Sequence, residues 1–328
     1  MIIVSYHISY VFNTGWIFVE FFFMLSGYFA FRHYMSGKEV SEPENFPVIY
    51  AVKKLLRILP YSAIALITLY IRQVIVNSLS LKDSVRYGLY VLQNLFLMNG
   101  TGMVPKYFKV RDDMVIKYMP LPELWYLTVL IVAIPLMLYL VRCAYKKLGL
   151  GLVGVLPFMI YGYMIMKDGS INGWHEGMGF YLTLCMRGLA GLLLGGLIYY
   201  ISEKIKGRWQ ETSTLSGTIL LLAEIGAFAG VAMIATLRES SFEMLSVILF
   251  IVSLSITFSG VTVTSKIHGG FFTFLGKLSL PIYCIHPVVR YYFGADDKVK
   301  YYLITIAAAA VMAAVVEGVG WTLKKRTT

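Results

Sequence analysis

Nine stretches of this 328-residue chain are apolar over a length that spans a bilayer, and that recurrence constrains the fold more than any other feature. They lie at about Gly15 to Phe31, Ile58 to Asn77, Leu121 to Val141, Leu148 to Met166, Gly179 to Ile201, Leu215 to Leu237, Phe242 to Val261, Phe271 to Val289 and Tyr301 to Leu323. Backbone immersed in hydrocarbon must satisfy its own hydrogen bonds, so runs of this length are expected as helices. Met1 to Phe12 reads as part of a tenth helix, while the apolar stretch Tyr87 to Met98 is short and suits an interfacial or re-entrant helix. Only 14% of the residues are charged and the mean hydropathy is +0.70. A soluble domain carries nearer a quarter charged residues, so a soluble globular protein is excluded. The expected fold is all-α: a polytopic transmembrane bundle of about ten helices, one integral membrane domain over 1–328, with no soluble domain appended.

The net charge of +11 does not describe a nucleic-acid binder, because the basic residues form short clusters between apolar runs and no continuous stripe. If the first helix runs outward, Arg32, Lys38, Lys53, Lys54, Arg57, Arg142, Lys146, Lys147, Lys204, Lys206, Arg208, Lys266, Lys324, Lys325 and Arg326 all fall inside. That excess follows the positive-inside rule and predicts a multi-pass protein of the cell membrane with both termini cytoplasmic. Asn99 to Pro120, broken by Gly100, Gly102, Pro105 and Pro120, then lies outside as a cover over an outward-facing site. Cys143, Cys185 and Cys284 show no paired spacing, which indicates neither a disulfide framework nor a zinc knuckle, and no metal is expected.

Ionisable groups at membrane depth are costly, so each asks for a partner or a task. The candidates are His7, Glu20, Arg187, Glu224, His286 and Glu317; Arg72, Lys277 and Arg290 lie near run ends, where they can snorkel. His7 stands among Ser5, Tyr6, Ser9 and Tyr10, as a hydrogen-bonding residue between helices or as a general base. Glu20, surrounded by Phe18, Phe21, Phe22 and Phe23, must face the bundle interior, to orient a histidine or to pair with a cation such as Arg187. Ser26 and Gly27 read as close-packing residues. Arg187 precedes Gly191 and Gly195, a GxxxG packing face, and an arginine at that depth suits an anionic group. Lys53, Lys54 and Arg57, just before Pro60, are topology determinants or a clamp for cofactor phosphates.

Five pieces of the chain, in order, resemble the acyltransferase 3 family of integral membrane proteins. They are Val19 to Tyr28, with the family's acidic-Phe-Phe-x-x-Ser-Gly signature at Glu20 to Gly27; Lys53 to Pro60; Leu124 to Leu127; Arg187 with Gly191 and Gly195; and Leu275 to Pro287. The resemblance implies transfer of an acyl group, often acetyl, from acyl-CoA to a hydroxyl of a glycan or other extracytoplasmic acceptor. It implies His7 as the catalytic histidine, by its distance from the signature. A basic residue that the family carries upstream of that histidine would fall before residue 1, so either the start is clipped or the first helix is shortened. Leu124 to Leu130 also lacks the acidic residues that many relatives carry after the tryptophan. The resulting expectation is a membrane O-acyltransferase in which His7, Glu20 and Arg187 carry the chemistry and Lys53, Lys54 and Arg57 hold the CoA phosphates. The alternatives are a transporter or flippase, which would show inverted repeats that are not visible here, and a catalytically silent truncated homologue.

Overall fold

The structure, a computed structural model, describes residues 1–8, 11–36, 45–95, 108–111, 114–116, 121–172, 179–209, 214–237, 242–267 and 269–327. Helices dominate it: α1 Ile2–His7, α2 Phe18–Met35, α3 Phe46–Val76, α4 Leu81–Leu95, α5 Trp125–Leu148, α6 Leu156–Asp168, α7 Gly179–Trp209, α8 Thr214–Thr236, α9 Glu243–Ser259, α10 Gly270–Phe293 and α11 Lys298–Thr327. Every apolar run named above carries a helix, and the fold is all-α as expected. A short antiparallel pair, β1 Phe108–Arg111 and β2 Met114–Ile116, is the only sheet among the described residues. It falls within the expected cover, Asn99 to Pro120, the rest of which lies outside the described residues, as do Ser9, Tyr10 and Lys38.

Six of the described helices are long and apolar enough to cross a membrane: α3, α5, α7, α8, α10 and α11. Their outward faces are apolar too. Leu222 and Met233 on α8 are 65% and 71% exposed, and Leu303 and Val311 on α11 are 63% and 64% exposed. Faces of that kind are stable against lipid tails and not against water.

Several boundaries differ from expectation for local reasons. The helix expected from Ile58 begins at Phe46, so Lys53, Lys54 and Arg57 sit inside α3, not ahead of it. Pro60 is also inside α3; neighbouring helices and local adjustments let a proline persist in a membrane helix. The run from Leu148 is divided: Gly149 adopts φ +49°, a wide turn follows over Gly151–Val155, and α6 then ends at Gly169 with φ +71°. These are backbone conformations that glycine reaches without a steric penalty. The short segment near Tyr87 is α4, an amphipathic helix opened by a reciprocal cap in which the Ser80 hydroxyl donates to Asp83 at 2.7 Å and accepts from the Asp83 N–H at 3.2 Å.

The described residues divide into two compact units. The first comprises Met1–Ala51 and Val129–His268 and contains α1, α2, α6, α7, α8 and α9. Its core gathers Ile17, Met24, Tyr161, Leu194, Val247 and Phe250. The second comprises Val52–Thr128 and Gly269–Thr328, with α10 packed along α11. Within it the Tyr292 hydroxyl donates to the Thr68 carbonyl at 2.9 Å, and the Arg72 guanidinium lies over the rings of Tyr291 and Tyr292.

Candidate active site

Glycine determines how closely α2 and α7 approach. A methyl group built on Gly191 would stand 2.6 Å from Phe23 Cβ and 3.2 Å from Glu20 Oε2; one on Gly195 would strike the backbone of Gly27 and Tyr28; one on Gly27 would strike the Leu192 carbonyl. The GxxxG face of α7 therefore lies directly on the α2 signature, backbone against backbone. Gly27 packs as the sequence suggested.

One turn from that contact, Glu20 and Arg187 meet. Both side chains are buried, at 0% and 1% exposure, and Arg187 Nε donates to Glu20 Oε1 at 2.5 Å. The Tyr161 hydroxyl from α6 donates to Glu20 Oε2. Glu20 lies in the first turn of α2, where the unpaired N–H groups of a helix favour negative charge. Arg187 Nη1 donates to the Asn172 carbonyl at 2.7 Å and to Asn172 Oδ1 at 3.1 Å, and Nη2 donates to the Trp16 carbonyl at 3.4 Å. The guanidinium also lies 5.1 Å from the Trp16 ring centroid, a cation–π arrangement. A buried guanidinium needs its donors satisfied, and the fork geometry of arginine reaches an acid and two backbone carbonyls at once.

Asn172 is itself held in place. Glu243, at the start of α9, accepts from Ser170 Oγ and from the Ile171 N–H, both at 2.6 Å. The turn after α6 is thus tied to α9 just before it presents Asn172 to Arg187. Tyr161, Asn172, Glu243 and Trp16 were not singled out from the sequence. A tyrosine in an apolar run and an asparagine in a loop carry no local signal of what they will touch.

His7 is the last residue of α1 and is half-buried, its ring 5.3 Å from that of Tyr6. Tyr6 packs against the turn at Gly15, where an added methyl would stand 2.7 Å from Tyr6 Cβ, and the next residue of that turn is Trp16. The structure therefore brings Glu20 and Arg187 into direct contact and seats α1, with His7, beside the turn that roofs the guanidinium. Glu20 accepts from Arg187 through one oxygen and from Tyr161 through the other, so of the two roles open to it the structure shows the pairing with a cation.

The other candidates have plainer surroundings. Glu224, 3% exposed, accepts hydrogen bonds from the hydroxyls of Thr257, Thr262 and Thr264 at 2.7–2.8 Å. His286 on α10 is fully buried, and its Nδ1 donates to the carbonyls of Ile282 and Tyr283 on its own helix, which fits a structural role. Glu317 pairs with Lys277 at 3.2 Å, both 57% exposed. Lys53 and Arg57 stand exposed one turn apart on α3, with Lys54 half-buried beside them. They belong to the second unit, whereas His7, Glu20 and Arg187 belong to the first. Among the described residues, no three His, Cys, Asp or Glu side chains gather as a metal-ion group.

A family model described as an acyltransferase domain, acyltransferase 3, matches residues 1–321, and the chain belongs to that family. The protein is accordingly a membrane acyltransferase by class. No curated protein and no solved structure matches it.

Proposed function

We propose that this protein is an O-acyltransferase that moves an acyl group, acetyl in the first instance, from acyl-CoA to a hydroxyl of a glycan or other extracytoplasmic acceptor. The observation that carries the reading is the buried Glu20–Arg187–Tyr161 cluster, roofed by Trp16 and flanked by α1 with His7, in a chain of the acyltransferase 3 family.

Attack of an alcohol on a thioester needs a base for the hydroxyl proton and positive charge for the oxygen that becomes negative. His7 takes the acceptor's proton as its oxygen bonds to the thioester carbonyl carbon. The carbon–sulfur bond then breaks, and the imidazolium returns its proton to the departing CoA thiolate. Arg187 supplies the positive charge, toward the developing oxyanion or the bound acceptor. Glu20 is a positioning residue: it holds the guanidinium in one orientation, and the Tyr161 hydroxyl holds Glu20. On α3, Lys53, Lys54 and Arg57 present a local cluster of positive charge for the CoA phosphates. The excess of basic residues in alternate loops supports a cytoplasmic side for that surface and for both termini.

His7→Ala, assayed in membranes with labelled acetyl-CoA, is expected to lower acyl transfer by about a hundredfold or more, the usual contribution of a general base. A rate near wild type would remove His7 from the mechanism. Mass spectrometry of surface glycans from cells with and without the gene identifies the acceptor by the gain of one acyl group.

A further inference from the structure

At the end of the first unit away from Glu20 and Arg187 lies a cavity. Arg32 is twelve residues beyond Glu20 on α2, and Lys206 nineteen beyond Arg187 on α7, about 18 Å and 28 Å along the helix axes. These two side chains, with Lys266 beyond α9, line a cavity of about 620 Å³ together with Glu203, Trp209 and Phe258. Three cations thus face one acid, and no ion pair engages any of the four among the described residues. Directly beside it runs an apolar groove of about 650 Å³ lined by Phe21, Leu25, Phe228, Ala229, Ala232 and Phe258. Phe258 borders both and is fixed there by a parallel stack on Tyr28, with ring centroids 3.9 Å apart. Thr262 lines the cavity and Thr264 the groove, and both donate to Glu224, so the one carboxylate at the junction is already hydrogen-bonded. Ile225, 53% exposed, stands at the rim of the groove on the apolar outer side of α8.

We propose that this cavity and groove form a binding site for an anionic phospholipid of the surrounding bilayer, its phosphate held by Arg32, Lys206 and Lys266 and an acyl chain laid along Phe21, Phe228 and Phe258. Positive charge and an apolar channel meet at one aromatic residue, which complements a molecule with a phosphate at one end and a hydrocarbon chain at the other. Basic pockets between membrane helices recognise anionic headgroups in this way, and a tryptophan at the headgroup level supports the same depth. Lipid is the occupant the geometry favours over a soluble phosphate, because a soluble ligand would leave the groove without a partner.

The test is photo-crosslinking of the full chain reconstituted in phosphatidylcholine vesicles carrying a minority of photoactivatable phosphatidylglycerol or of photoactivatable phosphatidylcholine. Adducts are expected on α8 and α9 peptides between 225 and 258, with the phosphatidylglycerol probe preferred about 100-fold at roughly a factor of five per basic side chain. R32Q/K206Q/K266Q is expected to abolish the preference and R32K/K206R/K266R to keep it. Equal labelling by both probes, or adducts confined to other helices, would overturn the proposal without any variant having to fold. Added glycerol 3-phosphate or CoA should leave labelling unchanged; displacement by either would make the site one for a soluble organic phosphate.

Discussion

Glu20 and Glu224 are two buried carboxylates in the same unit, and they are stabilised by different means. Glu20 faces a guanidinium and one phenol; Glu224 faces three threonine hydroxyls and, among the described residues, pairs with no cation. A hydroxyl can rotate to suit an acceptor, so a threonine cage accommodates small movements. A guanidinium fork cannot, and it adds a second demand, because its remaining N–H groups must reach Asn172 and Trp16. The ion pair therefore fixes the relative placement of α2, α7 and the turn after α6, while the cage joins α8 to the end of α9 and the loop beyond it. That contrast separates a site organised around a fixed charge from a polar contact that holds helices together.

Arg187→Gln probes the comparison hardest. It leaves Glu20 buried without its counter-charge, and a loss of about 3–5 kcal/mol is expected, read as a fall in the unfolding midpoint in detergent. E20Q/R187Q should recover much of it, since no charge is then stranded; a double variant no better than R187Q would mean that the two groups are not energetically coupled. Glu224→Gln comes next, at about 2 kcal/mol, because an amide turns one acceptor oxygen into a donor facing hydroxyls that can partly reorient. If it costs as much as R187Q, the distinction between fork and cage fails. Tyr161→Phe removes one hydrogen bond and keeps the ion pair, for about 1 kcal/mol by the same unfolding measurement. Its acyl-transfer rate should fall more than its stability does if Glu20 positions Arg187. Lys277→Ala marks the lower end: its partner Glu317 is equally exposed, and a change within about 0.5 kcal/mol is expected.

Much of this organisation can be read before any coordinates. Runs of apolar residues locate the helices, because a helix closes its backbone hydrogen bonds within its own segment and needs no distant partner. The GxxxG of Gly191 and Gly195 announces a close helix contact, and the acidic signature around Glu20 announces a buried acid. Pairing with Arg187 was one of two roles open to Glu20 on sequence grounds. The apolar run that begins at Ile58 marks only the later part of α3, which starts at Phe46, because its first turns carry the basic residues Lys53, Lys54 and Arg57. Asn172 and Glu243 were out of reach: the bond from Ile171 to Glu243 spans 72 residues, and the one from Tyr161 to Glu20 spans 141.

The amino-acid sequence by itself determined that this chain is a helical membrane protein of the acyltransferase 3 family and which few charges stand within its apolar runs. Apolar length and short motifs are local quantities, set by residues near one another in the chain. Only the tertiary structure decided that Glu20 meets Arg187 and Tyr161 while Glu224 meets threonines. That choice depends on which helix faces pack together, and for α2 and α7 it follows from side chains that glycine lacks.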